Sequence, residues 1–434
     1  MKKDKIPEGY LFSKPYTNYV FILLFLLYMF DYIDRMVVTS LFPFLKADWN
    51  LTDAQCGLMV SAVYWSIVAL TFPVSILVDR WSRRKTIGIM AVVWSLATAA
   101  CAFTKSLPQL LTTRTFIGVG EAGYAPGGTA MIAGLYPQEK RSWMMGLWNA
   151  SIPLGSAIGI ALGGIIATNW GWRHAFGLVA LPGLIIAILF FFVKDYKTVG
   201  LTVSRKSQDA QSEKRAVAMS IKDMFNEFIN KPSLIFTYFG MAGVVFTTTS
   251  LMTWLPTYFH RVHGLAESQA GLKSSAVMVL ALIGAPLGGY ISDKWRKKKV
   301  NARLLFPTIS TLLSAIMLFL AFVVFPGKMQ YILLLVMGIL ITAFISAAAA
   351  VTQDVMHPGM RAMSYAVAVV VQNLLGASMG PIAIGALSDA INIQTAISVL
   401  PFALLLAAVM FFTGSFYYER DLAKVEHVEL ESIP

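Results

Sequence analysis

Charge is what this chain has least of: only 13% of its 434 residues are Asp, Glu, Lys or Arg, about half the share of an ordinary globular domain. With 57% hydrophobic residues beside it, that scarcity excludes a soluble globular protein and indicates one that lives among lipid. Cysteine is nearly absent, with Cys56 and Cys101 alone, so no disulfide framework is expected. These two fall near the outer ends of neighbouring helices, where a bond between them is geometrically open. Histidine is scarce as well, and His174, His260, His263, His357 and His427 lie at helix ends, in loops or in the tail. A hydrolase or acyltransferase acting within the bilayer needs a nucleophile and a base at depth. With no histidine placed at depth and no metal-ligand spacing, the chain reads as a non-enzyme that needs no cofactor and no metal.

Strict apolar/polar alternation is missing too, which excludes an outer-membrane barrel. What is present instead is unbroken apolar sequence in runs near the roughly 20 residues that cross a bilayer as helix. Twelve such runs stand at about 17–41, 53–78, 86–103, 107–135, 142–167, 172–193, 232–259, 268–292, 303–325, 329–355, 360–389 and 393–416. The first is longer than a signal-peptide core and carries three charges, so it is expected to stay as a helix. The fold class is an all-α membrane protein, with twelve transmembrane helices in two six-helix halves.

The net charge of +12 invites a nucleic-acid reading, which the placement of the bases excludes. Of the 35 Lys and Arg, only Lys46, Lys105, Arg173, Arg261, Lys273 and Lys328 lie in loops on one side of the membrane, and Arg35 and Arg114 lie inside spans. All the others fall in the two tails and the loops on the opposite side, so the positive-inside rule puts both termini in the cytoplasm. The Asn50-Leu51-Thr52 sequon lies in an outside loop, where Thr52 or Asp53 equally suits the N-cap of the second span.

The longest polar stretch, rich in Lys, Arg, Ser, Gln and Glu, separates the two sets of six. The expected organisation is an amino-terminal bundle (1–196), a cytoplasmic linker (197–231), and a carboxyl-terminal bundle with its tail (232–434). The halves echo each other. Asp79-Arg80-Trp81-Ser82-Arg83-Arg84-Lys85 after span 2 recurs as Asp293-Lys294-Trp295-Arg296-Lys297-Lys298-Lys299 after span 8, and Pro137 with Arg141 after span 4 matches Pro358 with Arg361 after span 10. Internal repeats in a twelve-span chain point to alternating access, with the substrate near the midplane between the halves. A sensor that binds without transporting is the rival reading.

Five charges interrupt the apolar runs: Asp31, Asp34 and Arg35 in span 1, Arg114 and Glu121 in span 4. Each costs roughly 2.5–3.5 kcal/mol or more at bilayer depth, so this grouping of opposite signs calls for a function. Asp31 precedes Asp34 by three residues and Arg35 by four, which places all three on one helix surface. Arg114 and Glu121 are seven apart, nearly two turns, and face the same way. Protonating Asp34 or Glu121 leaves an Arg under-compensated and able to take a substrate carboxylate in forked hydrogen bonds. Glu121 is favoured as the main proton carrier with Asp34 as its coupled partner, and Arg114 then Arg35 as the anion ligand. Tyr28, Tyr32, Tyr64, Tyr124, Asn149, Ser151, Gln372 and Asn373 are further polar candidates for the cavity. Gly155, Gly159 and Gly163 read as close helix packing. Spans 7, 8, 9, 11 and 12 have no charge in their middles, with Asp354 and Asp389 placed near cytoplasmic ends, which suits an anion with an apolar body.

The loop after span 2 resembles the G-x-x-x-D-R-x-G-R-R signature of the major facilitator superfamily, through Asp79, Arg80, Arg83 and Arg84. Ser75 and Ser82 replace the two glycines. That resemblance implies the major facilitator fold and a cytoplasmic gate that also involves Asp293, Arg141 and Arg361. Finer motifs resemble the anion:cation symporter family: Tyr32-Ile33-Asp34-Arg35, Arg114-x-x-x-Gly118-x-Gly120-Glu121-Ala122, Tyr136-Pro137-x-Glu139-x-Arg141, Gly171-Trp172-Arg173 and Trp254-Leu255-Pro256-Thr257-Tyr258. What it implies is proton-coupled symport of a small organic anion such as a carboxylate, by a monomer in the bacterial inner membrane, with sodium as the alternative coupling ion. Asp31 departs from that pattern, which usually has Asn there. The same helix 1 and helix 4 residues also resemble the spinster-type lipid transporters, which implies a lysophospholipid or another amphiphile as the alternative cargo.

Overall fold

In the computed structural model, residues 10–80, 82–194, 228–356 and 361–425 are described. They form helices that join end to end into twelve rods, as the apolar runs predict. Those of the first half are α1 (Lys14–Met36, continued by Val37–Leu41 and Phe42–Trp49), α2 (Asp53–Arg80), α3 (Arg83–Cys101), α4 (Leu107–Glu121 and Tyr124–Leu135), α5 (Gln138–Asn149 and Ser151–Trp170) and α6 (Trp172–Phe190). The second half holds α7 (Pro232–His263), α8 (Glu267–Arg296), α9 (Ala302–Phe319 with Leu320–Val324), α10 (Lys328–Leu340 and Phe344–Asp354), α11 (Arg361–Val371, Gln372–Ala377 and Met379–Ala390) and α12 (Ile393–Ser398 and Leu400–Ala423). Most of the expected linker lies outside the described residues.

Several rods are broken where an uninterrupted α-helix would be the simplest way to cross lipid. α1 tightens into a 3-10 turn at Val37–Leu41, immediately after Arg35 and Met36. α4 breaks just after Glu121, and α11 widens into a π-turn at Gln372–Ala377. Irregular backbone is tolerated at membrane depth where it is packed against protein or lines a cavity, and π-turns recur at functional sites. The breaks in α1 and α4 thus adjoin the charges at Arg35 and Glu121.

Glycine fixes how closely the rods of the first half approach. A Cβ on Gly155, Gly159 or Gly163 would come within 2.3, 2.7 and 2.7 Å of the carbonyl oxygens of Met29, Ile33 and Val37. Helix α5 therefore lies directly on the backbone of α1, as the glycine series indicates. Cys56 and Cys101 are both free and buried, so the bond between them that the sequence left open is not formed.

The two halves meet at one end of the bundle, the end carrying the 46–53 loop. Among the described residues, the hydrogen bonds that cross between them lie on that side: Ser61 Oγ to the Ser378 carbonyl at 2.5 Å, Ser275 Oγ to the Ala157 carbonyl at 2.7 Å, and a group around Asp53. Phe42 and Trp254 also pack across, with ring centroids 5.3 Å apart. At the end carrying the chain termini, described ion pairs stay within a half. Arg84 donates to the Val193 carbonyl at 2.9 Å, and Arg303 pairs with Asp293 at 3.2 Å and Asp354 at 3.3 Å.

Candidate functional site

The site is built on α1, where Asp31 and Arg35 sit one turn apart. Arg35 donates from Nε to Asp31 Oδ1 and from Nη2 to Asp31 Oδ2, both at 2.9 Å. This is the bidentate fork that makes arginine–carboxylate pairs strong. Glu121, at the break in α4, brings Oε2 to 2.9 Å from the same Nε. That nitrogen has one hydrogen, already aimed at Asp31, so neither Glu121 oxygen gains an aligned hydrogen bond. Two carboxylates thus compete for one guanidinium edge. The guanidinium also lies over the rings of Tyr32 and Tyr64, 4.7 and 5.7 Å from their centroids.

Asp34 points elsewhere. It is fully buried, with Asp31, Thr98 of α3 and Arg114 as its polar neighbours, and neither of its oxygens has an aligned partner. Arg114 is also wholly buried. Its Nε donates to the Met59 carbonyl of α2 at 2.6 Å and its Nη2 to the Arg35 carbonyl of α1 at 3.1 Å, leaving Nη1 without a partner. Charge balance on the sequence paired Asp34 and Glu121 with the two arginines. In the structure Arg35 is taken by Asp31 and Glu121, and Arg114 ties α4 to the backbones of α1 and α2.

The two arginines also differ in exposure. Arg114 has no exposed surface, whereas Arg35 keeps 8% of its surface open. Of the tyrosines, Tyr28 and Tyr64 are buried but for 7% and 6%, and Tyr32 is half-buried. Tyr124 is fully buried, its hydroxyl donating to the Leu24 carbonyl. Tyr28 stacks on Trp148 at 4.2 Å and packs against Tyr124 and Tyr32, each at 5.4 Å, so an aromatic wall backs the charges. Ser151 is buried at the break in α5 and donates to the Trp148 carbonyl at 2.6 Å. Asn149 is exposed and donates to Met145. Gln372 and Asn373 open the π-turn of α11, far along the chain but half-buried.

A second polar cluster, which the sequence did not single out, closes the opposite end of the bundle from the termini. Thr52 and Gln55 form a reciprocal capping box, Gln55 N to Thr52 Oγ1 at 3.1 Å and Thr52 N to Gln55 Oε1 at 3.0 Å. Thr52 therefore caps α2, and the Asp53 side chain is free for longer-range work. Arg261 of α7 donates to both Asp53 oxygens at 2.7 Å. Lys46 pairs with Asp53, Ser388 Oγ donates to it at 2.6 Å, and Asp389 accepts from Asp53 N at 2.7 Å and Ala54 N at 2.8 Å. Asp389, expected at the same end as Asp354, is thus at the Asp53 end, opposite the chain termini. A span of about 30 residues that begins on one side ends on the other. The only signal in the sequence was the presence of Asp53, Arg261 and Asp389 at the same ends of spans 2, 7 and 11.

The expected gate at the terminus end is only partly visible. Arg84 and Asp293 make their described contacts within their own halves. Arg83 lies in the first turn of α3, after the Ser82 cap that accepts from Lys85 N at 3.1 Å. The side chains of Asp79, Arg80, Arg141 and Arg361 lie outside the described residues.

Comparison with known proteins agrees with this architecture. A hexuronate transporter of Bacillus subtilis is 28% identical over 307 residues, 70% of this chain and 68% of that protein. Protein spinster homolog 1 of Xenopus laevis is 24% identical over 437 residues, 94% of this chain and 82% of that one. Among solved structures, a bacterial homolog of the human lysosomal transporter spinster, in an inward-facing and unoccupied conformation, superposes with a TM-score of 0.80 at 23% identity, covering 94% of this chain and 99% of that one. The family model of the Major Facilitator Superfamily matches residues 24–381, and the chain is a multi-pass membrane transporter belonging to that superfamily.

Proposed function

We propose that this transporter carries a small organic anion together with a proton, by alternating access. One observation carries the reading: three buried carboxylates, Asp31, Asp34 and Glu121, share two buried guanidiniums, Arg35 and Arg114. Fully ionised, the cluster holds one negative charge in excess, in a medium where unpaired charge is costly. One proton neutralises it. A substrate carboxylate that reaches Arg35 restores the excess and calls for another proton, so anion and proton favour each other's binding. Glu121, which meets the charge of Arg35 without an aligned hydrogen bond, is the natural acceptor, with Asp34 coupled to it. Similarity to a hexuronate transporter supports a carboxylate cargo.

Arg35 is the proposed anion ligand, with Tyr32 and Tyr64 beside it. Arg114 holds α1 in place and sets the local positive field. The asymmetry of basic residues puts both termini in the cytoplasm, so the closed end at Asp53 faces outward. The test is uptake of D-glucuronate into vesicles of reconstituted protein under an imposed gradient of protons or of sodium. Accumulation driven by the proton gradient alone is the expected result. Accumulation driven by sodium alone would overturn the proton assignment.

Transport of a lysophospholipid is the second reading. It is favoured by similarity to a spinster homolog along 94% of the chain and by the uncharged middles of most helices in the second half. Thermal stabilisation by lysophosphatidylcholine but by no small carboxylate would select it. A ligand at 100 times its Kd stabilises by about 2.7 kcal/mol, so the two outcomes are readily separated.

A further inference from the structure

We propose that Asp31 is a built-in competitor of the transported anion: its carboxylate occupies the edge of Arg35 that a substrate carboxylate needs, and the substrate binds by displacing it. The inference deepens the anion-symport reading and rests on it. Both N–H groups on the Nε/Nη2 edge of Arg35 are filled by Asp31, with the two oxygens at equal 2.9 Å distances. A substrate carboxylate has the same chemistry, two oxygens of like spacing and charge. It therefore meets the one arginine of the cluster that retains open surface in a state already saturated by an internal analogue.

The surroundings make displacement depend on a proton. The groups facing Asp31 and its partner are Tyr28, Tyr32 and Asp34 on α1, Tyr64 on α2, and Arg114, Glu121 and Tyr124 on α4. Both guanidiniums already have commitments, Arg35 to Asp31 and Glu121, Arg114 to the Met59 and Arg35 carbonyls. An Asp31 carboxylate pushed off Arg35 would therefore be left ionised beside Glu121 and Asp34. Taking up one proton from solution as the anion arrives, by way of Glu121, which lies beside Asp31, turns Asp31 into a neutral carboxyl and leaves Arg35 to the substrate. Asp31 in this way sets a threshold: only an anion able to form the same fork, arriving with a proton, opens the pair. Neutral sugars and singly hydrogen-bonding ligands are excluded.

The experiment is binding of D-glucuronate and benzoate, as carboxylate probes, to purified full-length protein by thermal shift and calorimetry at about pH 5, approaching the ordinary carboxylate range near about 4, and at about pH 8, well above it. Wild type, Asp31→Asn and Asp31→Ser are compared. The expected result is that both variants bind the probe about tenfold or more tightly at the higher pH, one 1.36 kcal/mol step or more, and lose most of the gain on acidification. In infrared difference spectra, a carboxylic C=O band that appears in wild type on adding the probe is lost in both variants. Unchanged or weaker binding in the two variants, with wild type still binding, would overturn the proposal alone, because Asp31 would then only orient Arg35. No binding of either probe by wild type at either pH would overturn the anion reading, and the proposal with it.

Discussion

Two arginine–aspartate forks occupy this molecule, one through the Nε/Nη2 edge of Arg35 and one through the Nη1/Nη2 end of Arg261, and they are wired differently. Arg35 and Asp31 lie one turn apart on a single helix, whereas Arg261 and Asp53 come from opposite halves. A fork within one helix keeps its partners whatever the halves do relative to each other, so only a proton or a competing anion changes it. A fork between halves is made or broken by the rocking motion itself. The contrast separates two tasks that alternating access requires: recognising charge and holding a conformation. It also explains their different burial. The Arg35 side chain is 9% exposed and that of Asp31 1%, while Arg261 is 30% exposed, so water can replace its contacts when the closure opens.

The sharpest way to break the comparison is to remove each arginine in turn. Arg35→Ala leaves Asp31 and Glu121 buried without a counter-ion, and breaking a buried pair in this manner costs about 3–5 kcal/mol. The expected outcome is a lowered Tm together with complete loss of anion binding, read in the same thermal-shift assay. Arg261→Ala, by contrast, should leave binding measurable and alter which side of the membrane the site faces.

Asp53→Asn sharpens the second half of the comparison. It weakens charge-assisted hydrogen bonds to Arg261, worth about 1.5–3 kcal/mol, and should shift the population toward a state open at that end. Labelling of a cysteine placed by Ser378→Cys with an impermeant maleimide from outside should then rise about tenfold or more, a 1.4 kcal/mol shift being one factor of ten. Equal labelling with and without Asp53→Asn would show that this fork does not hold the closure.

Gly57→Ala reaches the same closure by shape instead of charge. A Cβ there would fall 2.3 Å from the Pro381 carbonyl oxygen and 2.6 Å from its carbon, both backbone atoms that cannot swing aside. It should raise the same labelling while leaving carboxylate affinity within about threefold, a change below roughly 1 kcal/mol. The smallest effect is expected from Ser275→Ala, which removes one hydrogen bond between halves. Such bonds inside membranes average about 0.6 kcal/mol, so a modest labelling change is the prediction, and a change as large as that of Asp53→Asn would contradict it.

Much of the fold was legible because lipid simplifies the problem: a run of apolar residues has little choice but to become a helix. The spans expected at 53–78, 107–135 and 303–325 stand in the structure at Asp53–Arg80, at Leu107–Glu121 with Tyr124–Leu135, and at Ala302–Val324. The five charges were legible for the same reason. Their pairing was not, because helical spacing tells which residues share a face but not which neighbouring helix covers it. Asp31 and Arg35 met as the four-residue spacing implies, yet Asp34 turned toward α3 and Arg114 was covered completely. The Asp53 fork was missed because polar residues at helix ends look the same whether they face water or a partner, and Arg261 was read only as a loop base. Asp389 was placed at the wrong end although its own span length argued otherwise.

The central claim is that buried carboxylates carry the coupling proton, and the most direct measurement compares two modes of transport in Glu121→Gln. Vesicles of this variant should lose proton-gradient-driven accumulation of the anion, down to the level of empty vesicles, while still exchanging labelled anion for unlabelled anion across the membrane. Accumulation at the wild-type level would contradict the account, because a glutamine at 121 can accept no proton.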